Sequence, residues 1–187
     1  MNSPYVLPQD FKIVSGGQTG ADLAALDWAI EAGFSHGGWC PKGRRTEDGV
    51  LADSYALKET PGKSYLVRTE WNVRDSDATV IFTMDDRLDG GSKHTATFAE
   101  RLGKPWLHMR PTVHPRYLAA FVEKHRALVL NVAGKRASSA PLIYDLVLTS
   151  LRLAFQTADL SLVQQQTRRL EHRHCLPETT QPPSQLV

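Results

Sequence analysis

The segment Phe11-Lys12-Ile13-Val14, then Ser15-Gly16-Gly17-Gln18-Thr19-Gly20-Ala21-Asp22, then Leu23, Leu26, Trp28 and Ile30 at helical spacing, constrains the fold most. A short apolar run, a glycine-rich turn and an amphipathic helix in succession form the repeating unit of parallel α/β sheets. Glycine allows positive φ and lets a ligand approach the backbone, and the first amides of the following helix attract anions. Gly16, Gly17, Gln18, Thr19 and Gly20 therefore read as a candidate phosphate or carboxylate cradle. Thr19 and Asp22 also have the spacing of a capping box, with Thr19 as N-cap, in which both side chains serve the helix itself. The two roles are compatible. The Gly-Gly-x-x-Gly spacing is not the dinucleotide fingerprint, and no Gly-Lys-Ser/Thr follows, so the turn is not a P-loop.

The alternation continues along the chain. The first helix is expected over Gly20 to Ala32 with Gly33 just past its end, and a second strand over Gly37 to Cys40. A glycine turn with three cations follows at Pro41-Lys42-Gly43-Arg44-Arg45. Then come a short helix around Asp53 to Lys58, a minor strand at Tyr65-Leu66-Val67 and a short helix or turn over Thr69 to Ser76. Ala78-Thr79-Val80-Ile81-Phe82 is continuous and β-branched, the pattern of a strand covered on both faces. A polar loop runs from Asp85 to Thr95, and a helix from Thr95 to Leu102 ends at Gly103 and Pro105. Pro105 to Met109 reads as a strand, Pro115 to His125 as a helix and Ala127 to Val132 as the last strand. A final helix begins near Ser139, with Ile143, Leu146, Val147, Ser150, Leu151 and Ala154 facing inward.

The predicted fold is thus α/β, a three-layer sandwich with a mostly parallel central sheet. One domain is expected over residues 1–155. Residues 156–187 are expected to form a helical extension and then a mobile tail.

Composition excludes several classes. The chain has 187 residues, 41% hydrophobic and 22% charged, which suits a soluble domain with a core rather than a disordered chain. A formal net charge of +2 does not argue for nucleic acid. No apolar run is long enough to span a membrane. Two cysteines in unrelated contexts and no signal-peptide pattern point to the cytoplasm. His172, His174 and Cys175 lie in the tail without a second ligand pair, so no metal site is expected.

In a parallel sheet the loops at the carboxyl ends of the strands gather along one edge, where ligands bind. Those loops carry Gly16, Gly17, Gln18, Thr19, Gly20 and Asp22; Lys42, Gly43, Arg44 and Arg45; Gly90, Gly91, Ser92, Lys93 and Thr95; His108 and Arg110; and Asn131, Gly134, Lys135 and Arg136. The coincidence of glycine turns with cations predicts an anionic small molecule, most simply one bearing phosphate. Asn72, Arg74, Asp75 and Asp77 precede the strongest strand, where they either reach a ligand's ring and hydroxyls or pin the local turn. No carboxylate pair at acid/base spacing and no Ser-His-Asp order is present, so no catalytic residue is assigned.

The segments "SGGQTGADLAALDWAIEAG", "RTEWNVRDSDATVIF", "GGSKHTATFAERLGKP" and "LNVAGKRASSAP" together resemble the molybdenum cofactor carrier family over about Lys12 to Phe155. That family is similar to the SLOG superfamily of Rossmann-like proteins, which includes the LOG "lysine decarboxylase-like" phosphoribohydrolases. The resemblance implies a Rossmann-like, homo-oligomeric carrier of molybdenum cofactor (molybdopterin): a pterin with a dithiolene, a molybdenum-oxo group and a terminal phosphate. On this reading Gly16, Gly17, Thr19 and Gly20 hold the phosphate, and Lys42, Arg44, Lys135 and Arg136 neutralise it or the oxo-metal end. Gly90, Gly91, Ser92 and Thr95 form a second cradle. Alternatives are a nucleotide phosphate as ligand, in a sensor or a LOG-like phosphoribohydrolase. Against the hydrolase, the LOG motif Pro-Gly-Gly-x-Gly-Thr-x-x-Glu, aligned on Thr95, places Phe98 where its catalytic glutamate falls, with Glu100 two residues beyond.

Overall fold

Every residue of Ala78–Phe82 is buried, and the sheet extends outward from that run. The computed structural model describes residues 5–155; the expected helical extension and tail, with His172, His174 and Cys175, lie outside the described residues. In chain order the elements are β1 (Lys12–Val14), α1 (Ala21–Glu31), β2 (Ser35–Gly37), β3 (Trp39–Cys40), β4 (Arg45–Thr46), β5 (Gly49–Val50) and β6 (Lys58–Glu59). They continue with α2 (Tyr65–Arg74), β7 (Ala78–Phe82), α3 (Gly90–Arg101), β8 (Trp106–Met109), α4 (Arg116–His125), β9 (Val129–Gly134) and α5 (Ile143–Ala154).

The central sheet has the order β2-β1-β9-β7-β8 and is parallel throughout. Its middle strand is β9, the last strand among the described residues. There Asn131 is in register with Val14 on one side and Thr79 on the other. Helices α1 and α4 each pack on α5, and α2 packs with α3, giving the Rossmann-like α/β sandwich. Between β2 and α2 the chain makes an excursion holding two small sheets, parallel β3-β6 and antiparallel β4-β5.

Helix α1 buries Ala21, Ala24, Ala25 and Ala29, small side chains that let it lie close to the sheet and to α5. Larger groups fill its far end. Trp28 stacks on Phe34 at 5.6 Å and meets Phe155 at 5.7 Å, while Phe11 meets Phe34 edge-on at 5.7 Å. A separate small cluster of Leu26, Cys40, Leu51 and Leu57 ties the excursion to α1. Asp27 reinforces this join, accepting from the Tyr55 hydroxyl at 2.7 Å and from the Tyr144 hydroxyl of α5 at 2.7 Å.

Four local expectations are corrected. Tyr65-Leu66-Val67 is not a strand but the first turn of α2, started by Ser64, whose hydroxyl accepts from the Val67 amide at 3.4 Å. No helix spans Asp53 to Lys58; turns lead there into β6. The expected second strand at Gly37 to Cys40 divides at Gly38 between the central sheet and the β3-β6 pair. The helix expected from Thr95 begins at Gly90, so the Gly-Gly-Ser segment is its first turn rather than a loop.

Candidate functional site

The loops after β1 and β9 and the first turns of α2 and α3 enclose a cavity of about 460 Å³ at the carboxyl edge of the sheet. Of the residues expected to bind ligand, Gln18, Asp22, Gly90, Gly91, Ser92, Thr95, Gly134, Lys135 and Arg136 line it. Sequence reasoning did not select Tyr65, Leu66, Arg68, Thr69, Asp89 and His94, which line it too.

The loop after β1 spends most of its hydrogen-bonding groups on itself and its neighbours. Gln18 N–H donates to Asp22 Oδ2 at 3.1 Å, and Thr19 N–H to Gln18 Oε1 at 2.9 Å. Ala21 N–H donates to the Lys135 carbonyl at 3.1 Å, and Leu23 N–H to the Gln18 carbonyl at 3.1 Å. Gly20 takes a φ of 76° and lies against the chain that follows β9; a Cβ there would be 2.7 Å from Lys135 O and 2.7 Å from Ala137 N. The N-cap of α1 is Gly20, with no side-chain cap. The expected box is therefore replaced: Asp22 reaches back to Gln18, and Thr19 Oγ1 accepts from Ala137 N–H at 3.3 Å.

Asp22 is 4% exposed. Burial raises its carboxyl above the ordinary aspartate value, and Arg68 and the Gln18 amide oppose that rise. Arg68 Nη1 lies 3.1 Å from Asp22 Oδ2, while Arg68 Nε is buried without a partner. The guanidinium rests over Gly16, where a Cβ would overlap it.

The first turn of α3 is different. Its N-cap, Asp89, makes no side-chain cap and instead pairs with Lys135 Nζ. Thr95 Oγ1 donates to the Gly91 carbonyl at 2.9 Å. Ser92 is 3% exposed and its hydroxyl has no partner. A buried hydroxyl left unsatisfied is unfavourable by about 1–3 kcal/mol, and this one lies in a helix's first turn, where anions are favoured. Each cation of the cavity faces a carboxylate of the same chain: Arg68 with Asp22, Lys135 with Asp89, and Arg136 with Glu47 at 3.9 Å.

The family model described as the circularly permutated YpsA SLOG family matches residues 13–155. The chain belongs to that family. A crystal structure described as a putative molybdenum carrier protein from Syntrophus aciditrophicus SB is 43% identical, with a TM-score of 0.75, covering 79% of this chain and 96% of that one. No curated protein matches the chain.

In this SLOG chain the other candidate residues do not line the cavity. Gly16 houses Arg68, and Gly17 lies against Leu51 and Leu57, where a Cβ would be 2.6 Å from Leu51 Cδ2. Arg44 donates to the carbonyls of Leu51, Leu57, Ala52 and Tyr55 at 2.7–3.1 Å, so it organises the excursion. Gly43 N–H donates to Glu59, and Lys42 is exposed. Arg74 pairs with Asp75 at 2.7 Å and covers the Trp71 ring. Asp77 accepts from Leu128 N–H at 2.9 Å and Val129 N–H at 2.8 Å, pinning the start of β9. Asn131 Nδ2 donates to Thr79 Oγ1 at 3.2 Å inside the sheet. Arg68 carried no motif; its partner Asp22 is 46 residues away, so no local spacing announced it.

Among the described residues no group of three or more His, Cys, Asp or Glu side chains could hold a metal ion. Cys40 is buried in the Leu26 cluster, where burial pushes its thiol up. No helix among the described residues is long and apolar enough to cross a membrane.

Proposed function

We propose that this protein is a carrier for a small phosphorylated anion, with molybdenum cofactor as the cargo, held in the cavity at the carboxyl edge of the sheet. The observation that carries this reading is the buried, unpartnered Ser92 hydroxyl in the uncapped first turn of α3. A phosphate placed there receives the Ser92 hydroxyl and the free first-turn amides of α3. Lys135 leaves Asp89 to neutralise it, with Arg136 at the rim. The pterin then lies toward Tyr65 and Leu66, the half-exposed apolar side of the same cavity. The cargo brings its own sulfur ligands for molybdenum, so a cavity without a cysteine suits it.

Carriage is favoured over glycosidic hydrolysis by the residues of α3. Phe98 lies under the Arg101 guanidinium at 5.1 Å, Glu100 is exposed, and neither lines the cavity. The deciding experiment is native mass spectrometry with molybdenum analysis on protein made in a host that synthesises the cofactor. A phosphorylated pterin with molybdenum on the wild type, lost from Ser92→Ala, supports the reading, and the same spectrum reads the homo-oligomer expected of a carrier. A nucleotide without molybdenum overturns the cargo. Base released from a panel of nucleoside monophosphates would overturn carriage itself.

A further inference from the structure

The tip of the β4-β5 hairpin bears a carboxylate that behaves as a bound ligand. Glu47 Oε1 accepts from Ser138 N–H at 3.0 Å and from the Thr19 hydroxyl, and Glu47 Oε2 accepts from the Ser138 hydroxyl at 2.6 Å. Arg136 Nε stands 3.9 Å away. A backbone amide, two hydroxyls and a guanidinium converging on one oxyanion are the donor set of a phosphate or carboxylate site. Burial would push the Glu47 carboxyl up, but the Ser138 and Thr19 bonds and Arg136 outweigh it and hold the group below its ordinary value.

Apart from its base, where Arg44 and Leu51 exchange hydrogen bonds, the same hairpin is lightly held. It has two bridging pairs, Arg45 with Val50 and Thr46 with Gly49, and Val50 is 76% exposed. Its tip is fixed by the carboxylate and by Glu47 N–H, which donates to Gln18 Oε1 at 2.9 Å. Gln18 and Arg136 both line the cavity, so the Glu47 contacts and the cavity share a wall.

We propose that Thr19, Ser138 and Arg136 form a second oxyanion site beside the cavity, filled in the free protein by Glu47, which a phosphate or carboxylate group displaces by lifting the hairpin. The proposal rests on the cavity being the ligand site only for its biological use; the donor set stands independently. A cargo with a single acidic group leaves the hairpin closed. One with a second acidic group within reach opens it, so hairpin position reports which class of cargo is loaded.

Calorimetric titration of inorganic phosphate into wild type and Glu47→Ala tests this. The expected stoichiometry is one phosphate per wild-type chain and two per Glu47→Ala chain. In that background Ser138→Ala weakens the added site about tenfold, the loss expected for one hydrogen bond to an anion. Equal stoichiometry in the two proteins overturns the proposal. No phosphate on wild type but one on Glu47→Ala supports it while defeating the cavity reading. Trypsin cleavage after Arg45 in the unmodified protein is the second measurement, and it carries the test if Glu47→Ala does not fold. Cleavage accelerates as tripolyphosphate, which carries more than one acidic group, rises, while inorganic phosphate leaves it unchanged; an unchanged rate at saturating tripolyphosphate overturns the idea.

Discussion

The Arg68 guanidinium occupies the space that a side chain on residue 16 would fill. The glycine after Ser15 therefore houses a cation from α2, and through it neutralises the buried carboxylate of Asp22, 3.1 Å from Arg68 Nη1. A turn that reads as an open phosphate cradle is, at this residue, the seat of an internal ion pair.

Gly16→Ala should expel Arg68 and leave Asp22 buried without its cation. Breaking such a pair costs about 3 kcal/mol, which urea denaturation will read. Arg68→Ala should cost about the same, and the double variant little more than either, because both remove one interaction. Fully additive losses would disprove the coupling.

Ser92→Ala should separate binding from stability. The hydroxyl has no partner within the protein, so its removal leaves the thermal midpoint unchanged or slightly higher. Affinity for inorganic phosphate should fall about tenfold. A lower melting temperature would show that the hydroxyl serves the fold.

Tyr55 and Tyr144 should titrate together and late. Burial and the shared Asp27 carboxylate push both phenols up to about 12. A raised folded-state value means the native chain holds protons that the unfolded chain releases. Stability from this pair is complete below the ordinary phenol value of 10 and declines as pH climbs toward 12. Alkaline difference absorbance should show two tyrosines ionising near 12, and Asp27→Asn should bring them forward.

Glu47 should make the hairpin contact acid-labile. Its folded-state value is lowered from the ordinary 4.5, so its contribution is whole above that value and fades as pH falls through the lowered one. The stability difference between wild type and Glu47→Gln should hold steady near neutrality and close in acid. A difference that widens in acid would reverse the assignment.

The sheet was legible because its signals are continuous. Ala78–Phe82 is one unbroken run buried at every position, and the α5 stripe keeps its period over three turns. Misreadings arose where intrinsic preference and context disagree. Tyr65-Leu66-Val67 favours a strand by residue type, but Ser64 starts a helix there that packs on α3. Gly90 and Gly91 are poor helix formers, yet they open α3. Glycines and cations pointed to the edge of the sheet where the cavity lies. Which of them face the cavity was hidden, because it depends on contacts between distant segments: Arg44 is consumed by its own excursion, and Glu47 meets Ser138 across 91 residues.

The position of β9 sets when the site comes into being during synthesis. β1 and β7 have no edge in common until Val129–Gly134 slides between them, and Ser15 waits 117 residues for the carbonyl of Val132. A nascent chain lacking β9 has only two separate strand pairs to form, β1 with β2 and β7 with β8, and lacks the side of the cavity built by Gly134, Lys135 and Arg136. Pairing at such sequence separation is slow. On the proposed carrier reading, a chain truncated on the ribosome before β9 should therefore capture no cargo, with completion of the fold and competence to load arriving as one event.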